Sequence, residues 1–171
     1  RHGVVALDGI DTRALTLKLR QQGSMRCGLT TKESDPEQLL TRVRSSPAIV
    51  GVDLVKQVTC EKAYEWPAGG SAGASVPSQG PHIAVMDLGV KYNILRQLAS
   101  HGCRVSVLPA STPASDVLAL KPDGVVLSNG PGDPAAVTYA VKTIQGLMGQ
   151  VPMMGICLGH QLLGLAYGGE T

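Results

Sequence analysis

The C-terminal half of the chain alternates short apolar runs with segments of helical spacing. From residue 82, "HIAVMDL" predicts a strand, and the next segment, "KYNILRQLAS", predicts a helix that ends before Gly102. Further strands are predicted at "RVSVL", "GVVLS" and "VPMMGI", and each is followed by a helix. Four such strand and helix pairs predict an α/β fold, an open and mostly parallel sheet with helices on both faces.

Cap signals mark two helix starts in this half. Thr112 precedes Pro113, and Asp133 precedes Pro134 in the loop "NGPGDP". Both pairs predict an N-cap followed by a proline in the first turn, where a missing N–H is harmless. We therefore interpret Asp133 as the cap of a helix that extends to about Met148, rather than as a catalytic acid.

The pattern differs in residues 1–66. Strands are predicted at "GVVAL" and "MRCGLTT", and between them a helix is capped by Asp11 and ended by Gly23. Asp35 opens a second helix. This predicts the end of a smaller α+β domain over 1–66. The Gly, Ser, Ala and Pro of "PAGGSAGASVPSQGP" predict a linker at 67–81, which leaves 82–171 as the second domain.

Composition narrows the class of protein. The 171 residues are 43% hydrophobic and 16% charged, and the formal net charge is +2. Because the basic residues are scattered, we expect neither a nucleic-acid nor a membrane partner. With no signal-peptide pattern, a cytoplasmic setting is the default.

The four cysteines are too widely spaced to predict a zinc site or a disulfide framework. Cys27 and Cys103 lie in strand-like runs, so we interpret both as small buried hydrophobic residues. Cys60 lies in no informative pattern. Cys157 is different, because the sequence around it has a specific local geometry.

Cys157 lies between Gly155 and Gly159, where an apolar strand turns into a helix. A sharp turn of this kind projects its central side chain outward, and the two glycines relieve crowding. The positive end of the helix dipole favours a thiolate at this position. The pattern therefore predicts that Cys157 is a nucleophile, although small residues at such a crossing can also serve packing alone.

Neighbouring residues fit the same chemistry. The N–H of Leu158 is available to an oxyanion, and Gly130 and Gly132 of "NGPGDP" allow a second backbone donor to come close. Gln161 follows Cys157 by about one helical turn and can reach a polar substrate. His160 lies on the same helix, so we do not expect it to be the base. Together these residues predict acyl transfer.

Two motifs in this order on consecutive strands, "LSNGPGDP" and "GICLGHQLL", resemble the class I (triad) glutamine amidotransferase family. Longer stretches, among them "DGIDTRALTLKLRQQGSMRCGL" and "MDLGVKYNILRQLASHGCRV", are similar to the small, glutamine-hydrolysing chains of carbamoyl phosphate synthetases. By this resemblance, 1–66 corresponds to the last part of an N-terminal domain and 82–171 to the first half of the amidotransferase domain.

The resemblance implies that Cys157 attacks the side-chain amide of glutamine, releases ammonia and leaves a glutamyl thioester that water hydrolyses. It also implies that glutamine is bound by Gly130, Gly132, Leu158 and Gln161, with Gly130 and Leu158 as oxyanion donors. In that family the ammonia passes to a large synthetase chain, which uses ATP, a divalent metal and bicarbonate to make carbamoyl phosphate for arginine and pyrimidine synthesis. No metal or other cofactor is implied for the small chain itself.

In that family the His and Glu that activate the cysteine lie well downstream of it. The sequence starts at Arg1 and stops at Thr171, so we expect a piece of a longer protein that is inactive alone. Two other functions stay open: a non-catalytic interaction subunit, and a cysteine hydrolase of the intracellular protease and stress-protein superfamily.

Overall fold

The computed structural model describes residues 3–32, 35–67 and 80–170. They form two compact units that divide between Ala48 and Ile49. This boundary lies before the predicted linker, so residues 49–66 belong to the second unit rather than to the first. The cause is tertiary, because a strand within 49–66 joins the sheet of the second unit. Most of the predicted linker, 68–79, lies outside the described residues.

The first unit contains two helices whose ends agree with the sequence. Helix α1 spans Thr12–Gln22, and the carboxylate of its N-cap, Asp11, accepts a hydrogen bond from the Ala14 amide at 2.9 Å. Helix α2 spans Pro36–Ser45 and is capped in the same way by Asp35. Both caps satisfy first-turn amides that have no partner within the helix.

The two strands predicted in this unit, at "GVVAL" and "MRCGLTT", are absent from the structure, which has extended or irregular backbone there. Cys27, in the second of these segments, is exposed, so its interpretation as a buried residue is wrong. Without a pairing strand, the segment has no sheet in which to bury its side chains. Neither α1 nor α2 contains a buried residue.

The second unit is built on a five-stranded sheet. Its strands are β1 (Tyr64–Trp66), β2 (His82–Asp87), β3 (Arg104–Pro109), β4 (Gly124–Leu127) and β5 (Met153–Gly155). Their order is β1-β3-β2-β4-β5, and β2 to β5 are parallel. The predicted α/β fold is confirmed. The sequence missed β1, which pairs antiparallel with β3 at the edge of the sheet.

Four helices complete this unit: α3 (Tyr92–Ser100), α4 (Ala114–Ala119), α5 (Thr138–Leu147) and α6 (Leu158–Ala166). One core cluster packs α4, α5 and α6 against one face of the sheet, and its buried members include Met86, Leu127, Ile144, Leu147 and Leu162. A second cluster packs α3 against the other face, through Val85, Leu95, Val105, Val107 and Val126. Neighbouring strand residues thus serve opposite faces, as the pleat of a strand requires.

The start of α4 differs from the prediction in detail. Pro113 is its N-cap, and the Thr112 hydroxyl donates to the Pro109 carbonyl at 2.7 Å instead of capping the helix. Because the helix begins at Ala114, Thr112 lies one residue too early to reach a first-turn amide. Its hydroxyl closes the preceding turn.

Candidate active site

Three loops follow the carboxyl ends of β2, β4 and β5, which lie at the same edge of the sheet because these strands are parallel. The chain leaves β2 through α3 towards β3 on one side, and leaves β4 through α5 towards β5 on the other. A ligand crevice forms at such a point of divergence in open α/β sheets. The loop "NGPGDP" and Cys157 both lie there.

Cys157 occupies a strained turn between β5 and α6. It is the N-cap of α6, with φ 53° and ψ −110°. A non-glycine residue with positive φ costs on the order of 1–3 kcal/mol, and such strain is concentrated at functional sites. The thiol-bearing side chain is exposed.

Both flanking glycines are required by close backbone approaches. A Cβ atom at Gly155 would lie 2.5 Å from the amide nitrogen of His160, and a Cβ atom at Gly159 would lie 2.2 Å from the carbonyl oxygen of Leu127. Neither backbone atom can move without disturbing β4 or α6. The predicted tight turn from strand to helix, with a glycine on each side of the cysteine, is therefore confirmed.

Leu158 anchors the first turn of α6. Its side chain is buried in the larger core cluster, and its amide is a first-turn N–H that has no carbonyl partner within the helix. The turn therefore combines an exposed thiol with a backbone donor on the next residue.

Gly130 brings the loop after β4 against this turn. A Cβ atom at Gly130 would lie 2.2 Å from the Leu88 carbonyl oxygen and 2.7 Å from Cδ2 of Leu158. Only glycine can occupy a position so close to both neighbours. The structure thus places next to each other Gly130 and Leu158, the two residues that the family resemblance implies as oxyanion donors.

The rest of this loop is held in a defined shape. Gly132 has a φ of +93°. A Cβ atom at Gly132 would lie 3.1 Å from the Val52 carbonyl oxygen. Asp133 accepts from the Ala135 amide at 2.9 Å and from the Gly51 amide at 2.8 Å. Asp133 is confirmed as a cap, but it caps the 3₁₀ turn Pro134–Ala136. The helix predicted from Asp133 to about Met148 is wrong at its start, because α5 begins separately at Thr138.

Two polar residues that the sequence analysis missed fix the start of the loop. The buried Ser128 hydroxyl accepts from the Leu88 amide at 2.9 Å and donates to the Asn129 carbonyl at 2.8 Å. The Asn129 side chain donates to the Gly89 carbonyl and accepts from the Lys91 amide. The sequence feature that could have predicted this role is a Ser-Asn pair directly after a buried apolar strand.

Gln161 and His160 lie on the first turns of α6. The backbone amide of Gln161 donates to the Cys157 carbonyl at 3.1 Å, which places the two residues one helical turn apart. Both Gln161 and His160 are exposed. Among the described residues, no hydrogen bond joins the His160 ring to Cys157.

The other thiols lie in different surroundings. Cys103 is half-buried and packs against the α3 core cluster. Burial, together with the negative charge of Asp87 and a hydrogen bond to it, raises the pKa of the Cys60 thiol to about 11. Cys60 is therefore almost entirely a thiol at neutral pH.

Alkylation rates test the distinction among the four thiols. With iodoacetamide near pH 8, we expect Cys157 to be labelled first, because it is exposed at a helix N-terminus. Cys60 is expected to react slowest, since a pKa of about 11 leaves roughly one thiolate per thousand molecules at this pH. Peptide mapping of a time course measures the order. Faster labelling of Cys27, which is also exposed, would contradict the special role of the turn.

Among the described residues, no cluster of three or more His, Cys, Asp or Glu side chains is arranged to hold a metal ion. None of the helices in the described ranges is both long enough and apolar enough to cross a membrane.

Comparison with known proteins extends these observations. Residues 84–171 match the family model for glutamine amidotransferase class-I. The chain is 48% identical to the chloroplastic carbamoyl phosphate synthase small chain of Oryza sativa subsp. japonica, aligning 100% of this chain with 39% of that protein. It is 49% identical to the carbamoyl phosphate synthase small chain of Syntrophotalea carbinolica and 51% identical to that of Thermosynechococcus vestitus, covering 46% of each.

In those alignments, 98% of this chain pairs with the Syntrophotalea protein and 99% with the Thermosynechococcus protein. The chain thus spans less than half the length of these relatives. The amidotransferase match covers more than half of the chain and includes both the "NGPGDP" loop and the cysteine turn. On this match and the geometry of that turn, the chain belongs to the class I glutamine amidotransferase family.

Proposed function

We propose that this chain is part of the glutamine-hydrolysing small chain of a carbamoyl phosphate synthase. The observation that carries the proposal is the strained turn at Cys157, with Gly130 packed against Leu158. The high identity to small chains over nearly the whole sequence supports the choice of this family member.

The reaction follows from the groups at the turn. The Cys157 thiolate attacks the side-chain amide carbon of glutamine, and the carbonyl oxygen becomes an oxyanion. The Leu158 and Gly130 N–H groups donate to that oxyanion. Collapse of the tetrahedral intermediate breaks the C–N bond, and the nitrogen leaves as ammonia after it gains a proton. Water then attacks the glutamyl thioester, which gives glutamate and restores the thiol.

Substrate binding uses the same edge of the sheet. Gly130 and Gly132 allow the backbone to come close to the substrate. The exposed side-chain amide of Gln161, one helical turn beyond Cys157, is available to hydrogen-bond a polar group of glutamine. The buried Ser128 hydroxyl and the Asn129 side chain hold the loop in position.

The wider assembly is part of the same proposal. Residues before Ile49 form the end of an N-terminal domain, and the second unit forms the first half of the amidotransferase domain. A large chain receives the ammonia and uses ATP, a divalent metal and bicarbonate to make carbamoyl phosphate for arginine and pyrimidine synthesis. The His and Glu that activate Cys157 lie downstream of Thr171. The setting is cytoplasmic, although the Oryza relative is chloroplastic.

The test is synthesis by the full-length protein with its large chain. Replacing Cys157 by serine is expected to abolish glutamine-dependent carbamoyl phosphate synthesis and to leave ammonium-dependent synthesis intact, because only the first needs the thioester. Cys27→Ser, which also changes an exposed thiol, is the matched control and is expected to keep both activities. Full glutamine-dependent synthesis by Cys157→Ser would refute the proposal and favour a non-catalytic interaction subunit.

A further inference from the structure

A cavity of about 530 Å³ lies beside the carboxyl end of β2, and Cys157 is not among the residues that line it. The residues that matter for its chemistry are Cys60, Tyr64, Trp66, Asp87, Gly89 and Tyr92. Its volume lies within the range of small-molecule sites, about 300–1,000 Å³. The hydrolysis of glutamine proposed above makes no use of this cavity.

Aromatic side chains are concentrated in the wall of this cavity. The whole chain has one Trp, four Tyr and no Phe, and three of these five aromatic residues line it. Trp66 and Tyr92 stack with ring centroids 5.5 Å apart and an interplanar angle of 25°. The stacked pair forms part of the cavity wall.

A buried carboxylate lies at the same cavity. Asp87 is 5% exposed and accepts hydrogen bonds from the amides of Gly89, Val90 and Cys60 at 2.8–2.9 Å. These three hydrogen bonds hold the carboxylate at the cavity wall. In the part of the chain that the structure describes, Asp87 has no ion pair, and the ion pair found there joins Lys56 to Asp53.

The charge of Asp87 acts on the groups around the cavity. Burial and then the charge of Asp87 raise the pKa of Tyr64 to about 12, and the same two causes raise the pKa of Cys60. Both groups are thereby held neutral at physiological pH. The cavity thus contains one buried negative charge and two neutral acidic groups.

We propose that this cavity binds an organic cation, a guanidinium or alkylammonium group. Aromatic faces attract such cations through their quadrupoles, and Asp87 supplies the compensating charge. Backbone amides bind Asp87, but no cation faces it within the described chain, so a bound cation adds a charge interaction to the aromatic one. An anionic or neutral ligand would gain from neither.

The cavity also adjoins the glutamine loop. Gly89 lines it, and the Gly89 carbonyl accepts a hydrogen bond from the Asn129 side chain at 3.0 Å. A Cβ atom at Gly89 would lie 3.4 Å from Cα of Gly130. Gly89 would therefore be the residue that separates a cation in the cavity from the proposed oxyanion loop.

Fluorescence offers a direct test, because Trp66 is the single tryptophan of the chain. The 171-residue chain is titrated with n-propylguanidinium chloride at constant ionic strength, and n-propylurea serves as the neutral probe of similar shape. We expect a saturable change of Trp66 fluorescence with the cation and no saturable change with the urea. Thermal melting with each probe gives a second readout, since a ligand that binds only the folded chain raises its Tm.

Variants identify the groups that bind. Tyr92→Leu removes an aromatic face at an exposed position and is expected to weaken binding by about three- to fivefold. Asp87→Asn removes the charge and is expected to weaken it by about tenfold or more. Tyr167→Leu, which removes a tyrosine that is exposed elsewhere, is the matched control and should bind like the unchanged chain.

Equal responses to both probes, a change that never saturates, or wild-type binding by Tyr92→Leu would each overturn the proposal. The source of the cation is distinguished by repeating the titration with the large chain present. Loss of probe binding would identify a cationic side chain of that partner as the occupant, and unchanged binding would identify a free small molecule. This last arm rests on the proposed function, whereas the titration of the chain alone does not.

Discussion

The 171-residue chain, assayed alone, is expected to release glutamate from glutamine on the order of ten-thousandfold more slowly than the full-length small chain of which we propose it is part. The departing nitrogen needs a proton and the attacking water needs a base, and a histidine facing the cysteine supplies both in such a mechanism. Among the described histidines, the His82 ring is bound to Ser106 at 2.6 Å and the His101 ring to the Gln97 carbonyl. His160 is exposed on the same helix as Cys157.

The assay measures glutamate release by the chain and by its Cys157→Ser and His160→Ala variants. All three are expected to be equally slow. If the chain instead hydrolyses glutamine at a rate near that of the full-length protein, and His160→Ala abolishes the activity, then His160 is the base and the assignment of the activating histidine to a downstream position is wrong.

Replacing Gly159 by alanine is expected to lower the free energy of unfolding of the chain by about 3 kcal/mol or more. The added Cβ atom would lie 2.2 Å from the Leu127 carbonyl oxygen, which is backbone and cannot rotate away. The start of α6 would then have to move off β4, and the cysteine turn would move with it. Urea denaturation followed by circular dichroism measures the change.

Gly164→Ala provides the matched control on the same helix. A Cβ atom at Gly164 meets nothing within 4 Å, so this substitution is expected to stabilise the chain by roughly 0.5–1 kcal/mol through helix propensity. If the two variants shift the urea midpoint in the same direction, the close approach of Gly159 to β4 does not determine stability.

The local features of this chain are encoded locally, and the sequence predicted them well. Asp11, Asp35 and Asp133 cap the starts of their helical segments as expected, because a cap depends on residues only two or three positions apart. The glycines around Cys157 were predicted for the same reason, since a tight turn restricts its own neighbours. The family motifs then indicated the chemistry of the turn.

Features that depend on distant partners could not be predicted in this way. A strand is stable only when another strand accepts its hydrogen bonds. The apolar segments at 3–7 and 25–31 read as strands but have no pairing partner in the described chain, whereas Tyr64–Trp66 pairs with β3 although it is only three residues long. Because of that pairing, residues 49–66 belong to the second unit, and the units divide between Ala48 and Ile49 rather than at the predicted linker.

The sequence by itself determined the order of the strands and helices after residue 81, the three aspartate caps, and the cysteine turn with its glycines, because each depends on neighbours in the chain. Only the tertiary structure decided that Gly130 lies against Leu158, that Ser128 and Asn129 hold this loop, and that Trp66, Tyr92 and Asp87 meet at one cavity. The physical reason is the same in each case. These contacts join residues tens of positions apart, and only the pairing and packing of the sheet bring them together.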